Sequence, residues 1–220
     1  GEDDSLDRGA LEANLTRLLA TDVAGLYING GTGDAANLTQ DERLETAALL
    51  VPRLLAAGKL AIVHVGQTNQ RQAVELARQA AALGAHAVAS IPPKKPWPQI
   101  VEYYKALAAA GAPVIVYYIP GVTGMTAGMP ELRMLLDIPG VAGIKMSDWN
   151  IFLLRSVVLE YPEKVVYSGF DEMLVPGLLY GADGCIGTWA NLLPDLYAKV
   201  YARVRAGGTD AVKPVMDEFT

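Results

Sequence analysis

The chain has 220 residues, 51% of them hydrophobic and 19% charged, with a formal net charge of −6. That size and composition fit one globular domain with a large core and exclude a disordered chain. The acidic balance argues against nucleic acid, whose phosphates need a basic face, and local donors rather than the global field would have to draw in an anionic substrate.

No apolar run reaches membrane-spanning length. Cys185 is the only cysteine, so no intrachain disulfide can form, which fits a reducing, cytoplasmic setting.

Leu11, Leu15, Leu18 and Leu19 recur at helical spacing. Residues 25–30 then read as a strand. Thr39-Gln40-Asp41-Glu42 is a capping box, and it opens a helix with Leu44, Ala47, Ala48, Val51, Leu54 and Leu55 on its apolar face. Strands are expected over 60–66, 85–91, 113–119, 141–146, 164–169 and 185–188. They alternate with helices over 68–83, 100–110, 129–136, 152–160, 172–180 and 192–205, and a last helix is expected near 214–220.

Near-continuous Val, Ile and Ala strands without polar alternation indicate a parallel sheet covered on both faces. Seven βα units in one domain indicate an α/β fold, a (β/α)₈ TIM barrel over residues 1–220. The count leaves one helix ahead of the first strand, so the chain as given is expected to lack strand one. It also ends inside a helix, and truncation at both ends is the expectation. An open doubly wound sheet is the competing arrangement.

In a barrel of this kind the active site lies at the C-terminal ends of the strands. Lys145 falls in the apolar run Val141-Ala142-Gly143-Ile144-Lys145-Met146. Desolvation disfavours an ammonium, and a neutral lysine amine attacks a carbonyl to form a Schiff base. A strand-end lysine that reaches water or a carboxylate is the plainer reading. Ser147 shares the face of Lys145.

Gly30-Gly31-Thr32-Gly33-Asp34 would let backbone N–H groups approach a carboxylate or phosphate, with the Thr32 hydroxyl beside them. Of Tyr117 and Tyr118 only one can face the barrel interior. A tyrosine there can shuttle protons next to a Schiff-base lysine, although simple aromatic packing competes. Gly169-Phe170-Asp171-Glu172 and Gly187-Thr188 add two carboxylates and a hydroxyl to the same rim. The two carboxylates would equally complement a helix dipole. His64, alone in an apolar strand, reads as a core residue, and no grouping has metal-ligand spacing.

Four segments carry a resemblance in this order along nearly the whole chain: Gly30-Gly31-Thr32-Gly33-Asp34, Tyr117-Tyr118-Ile119-Pro120, Gly143-Ile144-Lys145 and Gly181-Ala182-Asp183-Gly184. They resemble the pyruvate-dependent class I aldolases, the family that includes N-acetylneuraminate lyase and dihydrodipicolinate synthase. The resemblance implies a (β/α)₈ barrel, usually a homotetramer, acting on a small 2-oxo acid with neither cofactor nor metal. Family members begin with a strand just before this chain starts and end with helices beyond its last residue, in keeping with the strand count.

By the same resemblance Lys145 would form the Schiff base, and Tyr117 would shuttle the proton. Gly31 and Thr32 would hold the pyruvate carboxylate. Ser147, Gly169, Asp171, Glu172 and Thr188 would line the remainder of the substrate. The stretch Gly121-Val122-Thr123-Gly124 lacks the arginine usual in the synthase. That points to the lyase subgroup, which cleaves N-acetylneuraminate reversibly to pyruvate and N-acetylmannosamine.

A 2-keto-3-deoxy-sugar-acid aldolase or dehydratase, a non-catalytic sugar-acid-binding relative and, more distantly, a metal-dependent aldolase remain as alternatives. Two positions depart from the family pattern. Gly31 stands where a Ser or Thr hydroxyl usually relays protons to the tyrosine, and Lys94-Lys95 stand where an aromatic pair is common.

Overall fold

The structure is a computed structural model that describes residues 5–207; the helix expected near 214–220 lies outside the described residues. In chain order the elements are α1 (Arg8–Leu19), β1 (Gly25–Ile28), α2 (Gln40–Ala56), β2 (Leu60–His64), α3 (Gln70–Ala82), β3 (Ala87–Ser90) and α4 (Trp97–Ala108). There follow β4 (Val114–Tyr118), α5 (Pro120–Thr123), α6 (Met129–Leu136), β5 (Val141–Met146), α7 (Ile151–Glu160), β6 (Val165–Ser168), α8 (Leu174–Leu179), β7 (Gly184–Cys185) and α9 (Pro194–Arg205). Among the described residues, no helix is long and apolar enough to cross a membrane.

All seven strands run parallel, and each pairs with the next in sequence, β1 to β7. A doubly wound sheet reverses its strand order at a switch point. No reversal occurs here, so the described residues form a partial (β/α)₈ barrel.

Most strands stop short of the expected bounds. Residues 185–188 shrink to Gly184–Cys185, because the chain beyond leaves the ladder to build the rim. The helix expected over 172–180 splits into a 3₁₀ turn at Asp171–Met173 and α8, and the one expected over 192–205 begins only at Pro194. Proline lacks an N–H and has a preset φ, so it fits a first helical turn. The same logic explains why α4 opens at Trp97, three residues earlier than expected, with a proline in its first turn.

The capping box at the start of α2 forms as read. The Thr39 hydroxyl accepts from Glu42 N, and the Glu42 carboxylate accepts from Thr39 N at 2.8 Å. The buried face of α2 differs from the expectation. Ala48 is exposed, whereas Arg43, Thr46, Ala47, Leu50, Val51 and Leu54 are buried. Residues 43, 47, 50 and 54 follow helical spacing, so the position of Arg43 was available from periodicity. Its charge argued the other way.

The core has two layers. Outside the sheet, Val63, Val88, Val114, Val116, Ile144 and Met146 pack against helix residues such as Leu54, Ile100 and Leu107. Inside the barrel, Ile62, Ala87, Ala89 and Ile115 form a smaller cluster flanked by Tyr27 and Tyr167. Each fully buried Leu or Ile contributes about 1.5–3 kcal/mol.

A register shift in β5 decides which side chains enter the barrel. Val114 pairs with Val141, but Ile115 pairs with Gly143, so β5 carries one extra residue. Val141, Ile144 and Met146 therefore belong to the outer layer, and Lys145 points inward. Glycine is required at 143, because a Cβ there would lie 2.1 Å from the Val165 carbonyl oxygen.

Candidate active site

Tyr117, Lys145 and Tyr167 stand side by side across β4, β5 and β6. Lys145 is 6% exposed. Its Nζ sits 4.1 Å from the ring centroid of Tyr117 and 4.7 Å from that of Tyr27. Among the described residues no carboxylate lies within 4.0 Å of this amine. The reading of a strand-end lysine paired with a carboxylate is thereby set aside.

Tyr117 is the inward tyrosine. Its hydroxyl accepts from Ser147 Oγ at 3.3 Å. Tyr118 points outward, where its hydroxyl accepts from Ala127 N at 3.0 Å. Ser147 is buried two residues beyond Lys145. Gly169 closes in on both, since a Cβ there would lie 2.0 Å from Ser147 Oγ and 3.0 Å from Lys145 Cε. Any side chain at 169 would force Ser147 Oγ aside and crowd the end of Lys145.

Around this floor runs a polar rim. Thr32 Oγ1, from the loop after β1, lies 2.8 Å from Thr188 Oγ1, from the loop after β7. The glycine-rich turn takes its shape from two non-glycine residues. The left-handed residues are Asn29 (φ 58°) and Asp34 (φ 52°), and no glycine in the turn is left-handed. Gly30 is needed for space, because a Cβ would fall 2.8 Å from the Tyr27 ring. Gly31 has open space around it.

Asp171 is already engaged by protein donors. Its Oδ2 accepts from Thr188 N at 3.0 Å, and its Oδ1 accepts from Trp189 N at 3.1 Å and from the Tyr197 hydroxyl. Gly187 must be glycine, since a Cβ there would strike Oδ1 of Asp171. Glu172 is exposed at the same rim. Lys94 and Lys95 are also exposed. A cavity of about 1610 Å³ joins Tyr27, Lys145, Ser147, Asp171, Glu172 and Thr188, and it extends between the edge strands β1 and β7.

Two residues at or beneath the site went unread in the sequence as functional. Tyr27 supplies the second ring against Lys145, and only its alternation with Ile28 hinted at an inward side chain. Arg43 lies below, its guanidinium donating to the His64 and Gly66 carbonyls at 2.8 and 3.0 Å, so that α2 is tied to the end of β2. Burial lowers its pKa from the usual arginine value.

His64 is a core histidine whose Nε2 accepts from Ile91 N at 3.3 Å. Burial, and after it the Arg43 charge, push its pKa down to about 3, so the imidazole is neutral near pH 7. Among the described residues, no three His, Cys, Asp or Glu side chains are grouped to hold a metal ion.

A barrel with a buried lysine and a hydroxyl-bearing tyrosine at the C-terminal strand ends has the construction of a class I aldolase. The chain belongs to the dihydrodipicolinate synthetase family, whose profile matches residues 1–219, and it is a lyase of that family.

An N-acetylneuraminate lyase of Rhizobium meliloti is 35% identical over 212 residues, covering 94% of this chain and 70% of the relative. The crystal structure of CdNal from Clostridium difficile in complex with mannosamine superimposes with a TM-score of 0.92 at 25% identity, over 96% of this chain and 74% of that one. The chloride-inhibited dihydrodipicolinate synthase of Acinetobacter baumannii, complexed with pyruvate, gives 0.90 at 28% identity, over 97% and 75%.

Proposed function

We propose that this chain is a Schiff-base aldolase that reversibly cleaves a 2-oxo sugar acid, N-acetylneuraminate, to pyruvate and N-acetylmannosamine. The observation that carries the reading is Lys145 Nζ, buried against Tyr117 and free of any carboxylate among the described residues. The named relatives that are N-acetylneuraminate lyases support the choice of substrate.

In this mechanism Nζ attacks the 2-oxo carbon. Tyr117 gives its proton to the carbinolamine hydroxyl, which leaves as water, and a cationic iminium remains. Tyr117 then takes the proton of the C4 hydroxyl. The C3–C4 bond breaks, its electron pair passes into the iminium, and C4 departs as the aldehyde carbon. Tyr117 returns the proton to C3 of the resulting enamine. Water hydrolyses the iminium, releasing pyruvate and restoring the amine. General acid–base work of this kind contributes about 10²–10⁴-fold.

Ser147 Oγ, hydrogen-bonded to Tyr117, keeps the phenol aimed at the substrate. Thr32 and Gly31 receive the carboxylate. Gly169, Glu172 and Thr188 face the polyol, with Asp171 holding Thr188 in place. The reaction needs no cofactor, and the protein works as a homotetramer in the cytoplasm.

Intact-mass analysis after pyruvate and borohydride treatment tests the assignment. A trapped adduct is expected with Lys145 and none with Lys145→Ala, whose turnover falls by on the order of 10⁴-fold or more. An adduct that persists in the variant would move the chemistry to another residue. Substrate profiling tests the finer claim, since faster turnover of a shorter 2-keto-3-deoxy acid would transfer the assignment to that sister activity.

A further inference from the structure

We infer that Tyr27 belongs to the catalytic floor, and that its ring face rather than its hydroxyl stabilises the cationic iminium formed at Lys145. The inference rests on the aldolase reading and adds a residue to it.

Lys145 Nζ lies in a corner between two aromatic faces. The Tyr27 and Tyr117 rings are 6.1 Å apart and inclined at 83°, with centroids 4.7 and 4.1 Å from the nitrogen. Both distances fall within the roughly 6 Å range in which a ring quadrupole attracts a cation, and the attraction strengthens where water is excluded. When the neutral carbinolamine loses its hydroxyl, a positive charge appears on the C=N unit. Among the described residues no carboxylate is close enough to pair with Nζ. Tyr117, left as a phenolate by the proton transfer that expels the hydroxyl, meets the charge on one side, and the neutral ring face of Tyr27 meets it on the other.

The surroundings of Tyr27 are consistent with a ring-based role. The ring itself is half-buried, but its hydroxyl is buried with no hydrogen-bond partner among the described residues. Burial, and then the nearness of Tyr117, raise the pKa of that hydroxyl well above the usual tyrosine value, so it stays protonated. His64 forms the third wall, its ring centroid 6.0 Å from Tyr27 and 6.4 Å from Tyr117. Held neutral by burial, it adds no opposing positive charge. Gly30 leaves room for the Tyr27 ring to lie where it does.

The ring acts at iminium formation, so its loss should weaken accumulation of the pyruvate adduct rather than the proton transfers of Tyr117. The experiment measures the pyruvate concentration that gives half-maximal borohydride-trapped adduct in the wild-type chain, in Tyr27→Phe and in Tyr27→Leu. It adds a series with mono-, di- and trifluorinated phenylalanine at position 27. Tyr27→Phe should stay within about twofold of wild type, and Tyr27→Leu should rise about tenfold. The fluorinated series should rise stepwise, because fluorine empties the ring face while keeping its shape.

Equal losses in Phe and Leu would assign the effect to the hydroxyl and overturn the inference, as would a flat fluorine series. Should Tyr27→Leu fail to fold, the near-isosteric fluorinated series decides alone. A wild-type chain that traps no pyruvate would overturn the aldolase reading and this inference with it. A wild-type adduct with a flat series overturns only the ring.

Discussion

At the floor of the site, Lys145 Nζ meets two tyrosine faces and makes no hydrogen bond to protein among the described residues. At the rim, Asp171 alone accepts from three donors, and two threonine hydroxyls touch across the gap between the loops after β1 and β7. The floor is set by strand register and packing, which allow little adjustment. The rim is set by loops and polar bonds, which tolerate exchange. Losses at the floor should therefore fall on chemistry and stability, and losses at the rim on the fit of the sugar end.

The largest expected effect is at the floor. Tyr117→Phe keeps the ring beside Nζ and removes the hydroxyl. Its kcat should fall by about 10²–10⁴-fold, while pyruvate is trapped by borohydride at the same lysine but more slowly, since the proton that expels the carbinolamine hydroxyl must then come from water. An unaltered kcat in steady-state assays would break the division between ring and hydroxyl.

Acid should undermine the same region next. His64 titrates near 3 when folded against an ordinary 6.5. Below pH 6.5 the unfolded chain takes up a proton that the folded chain refuses. Stability therefore declines as pH falls from about 6.5 towards 3, by up to about 1.4 kcal/mol per pH unit. Urea midpoints across that range should show the slope, and His64→Asn should flatten it.

At the rim, Tyr197→Phe removes one of the donors to Asp171. A hydrogen bond to a charged group is worth about 1.5–3 kcal/mol. KM for the sugar acid should rise several-fold, with the pyruvate concentration for half-maximal adduct unchanged. Equal shifts in both would show that rim and floor are coupled.

The smallest effect should come from Gly31→Ser. A Cβ at 31 has nothing within 4 Å, so stability should change by less than about 0.5 kcal/mol. Urea midpoints of the variant should match those of the unsubstituted chain, and kcat should stay within about twofold. A rise in kcat would show instead that a hydroxyl at 31 joins the proton transfers at the floor.

Much of this was open to reading along the chain. The alternation of apolar strands with capped helices was enough for a parallel α/β barrel, because burial on both faces demands that pattern. Lys145 stood out as a charge at the end of an apolar run, and Tyr117 as one of an adjacent pair. Tyr27 did not stand out, because its importance depends on a residue 118 positions away. Arg43 was passed over because charge is normally a mark of an exposed helix face. The many bonds of Asp171 were invisible, since the turn at Trp189–Asn191 and α9 fold back to meet it.

The sequence by itself determined the element order, the capped start of α2 and the chemistry of the candidate nucleophile, a lysine in an apolar run. Those follow from local geometry, periodicity and side-chain chemistry. Only the tertiary structure decided which way Lys145 points. Strict alternation counted from Val141 puts residues 141, 143 and 145 on one face, yet Val141 lies in the outer layer and Lys145 inside the barrel. The extra residue at the β4–β5 register shift reverses the face. A bulge is a property of two paired strands, and neither strand states it alone.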